Sequence, residues 1–122
     1  DEKDEERKQD LIERSTIVNH EKGDIRIDFV GFAVQNLEET AARWVDYLQL
    51  EEGETFFDSS LNATGKRLHL KGGDIVLYSP NGEGRVSEVL ESRGEKPFLV
   101  QFSGASQEEE LQISEAIYRF SK

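Results

Sequence analysis

A chain of 122 residues fits one domain, long enough to bury a core and too short for two. Its formal charge of -11, from 26 acidic against 15 basic residues, makes phosphate backbones and anionic membrane surfaces poor partners, so neither nucleic acid nor membrane is expected. The absence of cysteine removes disulfides, thiolate metal sites and thiol nucleophiles, and no apolar run reaches the length of a membrane span; the expected compartment is the cytoplasm.

Residues 1–23 read as a charged arm. Over residues 1–14 the apolar content is Leu11 and Ile12 alone, which leaves two readings: a solvated, frayed segment, or a helix that docks on a partner chain through that pair. Residues 15–19, STIVN, are β-branched and precede a turn-like cluster containing Gly23, so a short strand is expected there, paired with the next run as a hairpin.

Residues 24–122 form the domain proper. The run IRIDFVGFAV is almost continuously apolar from Ile27 to Val34, as in a strand covered on both faces; alternation puts Ile27, Phe29, Gly31 and Ala33 on one face and Val30, Phe32 and Val34 on the other. Asn36, three residues before Glu39, caps a helix whose apolar stripe is Leu37, Ala41, Trp44, Val45 and Leu48, with Gly53 as a stop beyond it. Strand-like runs follow at residues 54–58, 66–71 and 74–79, the last two joined by Gly72 and Gly73 as a hairpin. A short helix is expected over residues 85–93, with Val86, Val89 and Leu90 on one side and Gly94 at its end. Pro97 opens the strand FLVQFS. Ser106 and Glu109 then read as a capping box before Ile113, Ala116, Ile117 and Phe120 at helical spacing, so that strand, cap and helix recur.

In that order the chain resembles the vicinal oxygen chelate superfamily, which includes glyoxalase I, methylmalonyl-CoA epimerase, extradiol dioxygenases and bleomycin-resistance proteins. The residues that carry the resemblance are IDFVGFAVQNLEETAARWVDYLQLEEG, DIVLYSP and VSEVLESRGEKPFLVQFSG. It implies an α+β fold, a βαβββ module of the glyoxalase-like type plus a partial second module (βα), forming a cupped sheet. It also implies a divalent metal held by His, Gln or Glu from the strands. Those positions fall here on Phe29, Ser79 and Leu99, of which two have no donor atom and the third is a poor ligand. No metal, no cofactor and no catalytic residue is therefore expected.

The remaining chemistry gathers on one face. If Leu68 and Leu70 face the helix layer, Arg67 and His69 turn to the concave side, together with Phe29, Gly31, Ile75, Leu77, Leu99, Gln101 and Ser103. With Ser79 at the strand end, this makes a mostly apolar cup holding a few polar groups, the composition of a small-molecule pocket. A guanidinium beside an imidazole favours a small anionic ligand such as a carboxylate. The competing reading leaves Arg67 and His69 as exposed sheet residues with nothing bound, and His20 in a polar turn is a solvated side chain. Three functions follow: a metal-free small-molecule binder, a lyase or isomerase whose ligands come from a partner chain, and a non-catalytic interaction module. An open sheet edge points to a homo-oligomer.

Overall fold

The computed structural model describes residues 25–122, so the charged arm and the strand expected over residues 15–19 lie outside the described residues. β1 (Arg26–Ala33) is followed by α1 (Leu37–Leu48), which starts where Asn36 Oδ1 accepts the Glu39 N–H at 3.0 Å. That bond satisfies an amide with no partner inside the helix. Gln49, in the left-handed region at φ 56, ends α1 by donating its N–H to Val45 O. Gly53 is thus not the stop. It lies inside β2 (Glu52–Asp58), where a Cβ would sit 1.9 Å from Arg67 O, so the neighbouring strand requires glycine there.

β3 (Ala63–Leu70) and β4 (Gly73–Pro80) complete a βαβββ module, and α2 (Arg85–Arg93) leads through Gly94, at φ 80, into β5 (Lys96–Ser103). The C-terminal stretch corrects the expected second helix. Residues 106–120 hold β6 (Glu109–Ile113) and β7 (Ala116–Phe120), joined by the two residues Ser114 and Glu115. The cause is a degeneracy of pattern: two alternating strands joined by a two-residue turn place apolar residues at 113, 116, 117 and 120, which is also helical spacing. The Ile, Tyr and Phe content of the stretch suits a sheet.

All seven strands form one sheet in the order β2-β3-β4-β1-β5-β7-β6. β1 runs parallel to β4 and antiparallel to β5, and β5 runs parallel to β7. The second module is therefore a strand and a hairpin, with β7 inserted between β5 and β6. Over Phe29–Ala33 both sides of β1 are taken, by β4 and by β5.

The sheet is strongly curled. β2 and β7 stand first and sixth in the order, about 24 Å apart if flat, yet Arg119 Nη1 lies 2.9 Å from Asp58 Oδ2. Inside this cup Phe29, Ala33, Val76, Tyr78, Phe98 and Leu99 are buried together with Val86 and Val89 of α2. On the outside α1 lays Leu37 and Ala41 over Leu68 and Leu77. No helix among the described residues is long and apolar enough to cross a membrane.

Candidate site at the rim of the cup

Strand register decides which side chains enter the cup. β3 pairs with β4 so that Arg67 lies opposite Val76, and His69 opposite Asp74. Directly opposed residues share a face, so Arg67 and His69 do turn away from Leu68 and Leu70, as their alternation predicts. Phe29 and Leu99 are also inside, at 7% and 1% exposure. The same register overturns the placing of Ile75 and Leu77: both pack under α1 with Leu68 and Leu70. Ser79 shares their parity on β4 and belongs to that outer face. The run IVLY is apolar throughout, so its own alternation carries no phase; only the pairing with β3 supplies one.

A polar cluster stands on the cup side. The Arg67 guanidinium donates Nη2–H to Asp28 Oδ1 at 2.6 Å and Nε–H to Asp74 Oδ2 at 2.7 Å. A register shift between Ile27 and Phe29 brings the intervening Asp28 within reach of it. The guanidinium carbon sits 5.1 Å from the centroid of the Phe29 ring, a cation–π contact. His69 Nδ1 lies 3.0 Å from the same Asp74 Oδ2. An ionised carboxylate only accepts, so Nδ1 carries a proton toward Asp74 and Nε2 is the ring nitrogen left for another partner, on a side chain that is 56% exposed.

Burial opposes the charge on Asp74, but hydrogen bonds from Arg67 and His69 outweigh it and hold this carboxyl below the usual carboxylate range. Desolvation likewise opposes the Arg67 charge, and the bonds to Asp28 and Asp74 overcome it, raising the guanidinium further. The two carboxylates were missed in the sequence. Asp74 was within reach of it: a two-residue loop at Lys71 and Gly72, rather than at the two glycines, pairs Leu70 with Gly73 and hence His69 with Asp74.

The interior of the cup is filled. Tyr78 stands at the centre of an aromatic group, edge-on to Phe56 at 5.9 Å and to Phe98 at 5.8 Å, and tilted against Phe29 at 6.5 Å. Two glycines make room for its ring: a Cβ on Gly31 or on Gly65 would come within 3.0 Å of it. Above the ring a second polar group closes the cup. Arg119 donates to Asp58 Oδ2 at 2.9 Å and to Gln101 Oε1 at 2.8 Å, while Gln101 Nε2 donates to Ser121 Oγ at 2.8 Å. Gln101 therefore lies in the cup, as expected, but fastens β5 to β7 and to Ser121 just beyond it. Burial would raise the Asp58 carboxyl, and hydrogen bonds from Ser60 and Arg119 outweigh that and lower it. The Tyr78 hydroxyl is buried near these charges without a hydrogen-bond partner of good geometry among the described residues, and burial pushes its pKa up to about 12.

The metal that the resemblance implies does not fit this donor set. Phe29 and Leu99 belong to the packed interior, and Ser79 is on the other face of the sheet. Among the described residues no group of three or more His, Asp or Glu is placed to hold a metal ion.

Solved structures of similar fold include methylmalonyl-CoA epimerases and a hypothetical protein. A hypothetical protein from Bacillus halodurans C-125 superposes with a TM-score of 0.68 at 17% identity, over 81% of this chain and 95% of that one. Methylmalonyl-CoA epimerase from Mycobacterium tuberculosis gives 0.66 at 14% identity, over 77% and 85%. A variant of the Streptomyces coelicolor epimerase in complex with 2-nitronate-propionyl-CoA gives 0.64 at 15% identity, over 79% and 96%. No family model matches the sequence, and no curated protein is significantly similar to it. At these identities the likeness establishes the vicinal oxygen chelate fold and leaves the chemistry to the residues.

Proposed function

We propose that this chain is a metal-independent, cytoplasmic protein of the vicinal oxygen chelate fold that binds a small polar molecule at the rim of its cup. The observation that carries the reading is His69, held by Asp74 and presenting Nε2 to solvent beside the Arg67 guanidinium, on the face that the fold uses as its cup. Arg67 already faces two carboxylates, so little of its charge is left for a second anion. This narrows the expected ligand from any anion to a molecule of at most single negative charge with a hydroxyl or amide for His69. Coenzyme A, carried by the ligand of the Streptomyces coelicolor complex, fits poorly with a chain of formal charge -11 and two aspartates at the rim. The test is a thermal-shift screen of small hydroxy acids, amides and acyl-CoA thioesters. Stabilisation by a hydroxy acid or amide that His69→Ala and Arg67→Ala each abolish is expected; a hit unaffected by both substitutions refutes the site.

A second reading, a non-catalytic module that assembles with its own copy, is favoured by the filled interior of the cup. The two edge strands of the sheet are β2 and β6. β6 opens with Glu109 and Glu110, charges that discourage strand pairing, whereas β2 presents Phe57 at 60% exposure. Pairing through β2 predicts a dimer by light scattering that Phe57→Lys dissolves. A monomer at all concentrations removes this reading.

A further inference from the structure

The outer faces of the two halves of the sheet are unequally covered. Over the first half, α1 buries Leu68 and Leu77 completely. Over the second half, Val100, Tyr118 and Leu111 follow one another across β5, β7 and β6 on the same outward side, with Phe102 and Phe120 stacked beside them at 4.8 Å. No helix among the described residues crosses this strip. Val100, Leu111 and Tyr118 stay half-buried, and Ile27, opposite Phe102 in the register, is 60% exposed. An apolar strip running over three strands is what a packed layer covers in a two-layer fold.

Ile25, the first described residue, packs into the Phe102 and Phe120 cluster on the same face as this strip. Among residues 1–24 the aliphatic side chains are Leu11, Ile12, Ile17 and Val18. From Val18 to Ile25 an extended chain reaches about 23 Å, more than the width of three strands, about 10 Å between the outer two. We propose that the occupant of this face is the chain's own segment over residues 11–18, which lays these four aliphatic residues across Val100, Tyr118 and Leu111. It gives the second half the cover that α1 gives the first, and it assigns Leu11 and Ile12 an intrachain role in place of a partner chain.

The test uses the full chain with a photo-crosslinking residue, Tyr118→p-benzoylphenylalanine, and a control at the exposed Tyr47 of α1. Irradiation should yield a monomeric product in which position 118 is joined to the tryptic peptides of residues 9–14 or 15–22. Ile17→Asp combined with Val18→Asp should lower that yield on the order of tenfold. A covalent dimer would assign the face to a second copy and overturn the proposal. So would the absence of any link to these peptides, or equal linkage from position 47.

Discussion

Asp74 shows how one carboxylate organises a site. It binds the Arg67 Nε–H and faces His69 Nδ1, so it fixes the guanidinium on the Phe29 ring and the imidazole tautomer together. Asp74→Asn is expected to weaken ligand binding at least as much as His69→Ala, because the amide leaves Arg67 half-paired and frees the ring to rotate; thermal-shift titration with the first confirmed ligand measures this. Tyr78 gives a sharper test at the same scale. Its ring is central to the core while its hydroxyl is buried without a hydrogen-bond partner of good geometry among the described residues. Tyr78→Phe is therefore expected to leave the thermal midpoint unchanged or to raise stability by up to about 1 kcal/mol. Gly65→Ala, whose Cβ would lie 2.7 Å from Phe56 Cζ and 3.0 Å from Tyr78, should cost about 1–3 kcal/mol in denaturant unfolding. A neutral result there would contradict a tightly packed cup.

The elements differ in how far the sequence betrays them, and the difference is physical. α1 was legible because a cap, a stripe and an apolar strand stood in sequence, and Asn36 does cap it. Asn36→Ala is expected to cost about 1 kcal/mol by chemical denaturation. α2 was legible from the apolar side formed by Val86, Val89 and Leu90, with Gly94 at its end. The β6 and β7 hairpin was not, because its spacing suits a helix equally well, and only pairing with β5 distinguishes the two. The same limit governed the site. Phe29, Arg67, His69, Leu99 and Gln101 were placed in the cup from alternation within their own strands, and their register partners bear this out. Leu77 and Ser79 were misplaced because an unbroken apolar strand has no internal phase. Asp28 reaches Arg67 only through a shift in register, and Arg119 and Asp58 meet only because the sheet curls, which no local pattern records.

At the scale of the whole molecule, the curl is fastened by charge. Asp58 and Asp74 both titrate lower in the folded chain than in the unfolded one, so the unfolded chain takes up their protons first as the pH falls. Their stabilisation is complete above the ordinary aspartate value, about 3.9, and is lost as the pH drops below it through the folded values. The thermal midpoint should stay nearly flat from about pH 7 to pH 5 and then fall steeply. Asp58→Asn should lower it at neutral pH and flatten the acid limb, and an unaltered acid limb would contradict the fastening role of Asp58. The same packing underlies the central claim: this chain keeps the vicinal oxygen chelate fold while filling its cup with side chains where a metal would be held. Metal analysis of the purified protein, with the thermal midpoint read before and after chelation and after addition of Zn, Ni, Co, Mn or Mg, tests this directly. The expected result is substoichiometric metal and a midpoint that neither chelator nor metal moves. Stoichiometric, tightly bound divalent metal whose removal lowers the midpoint would contradict it.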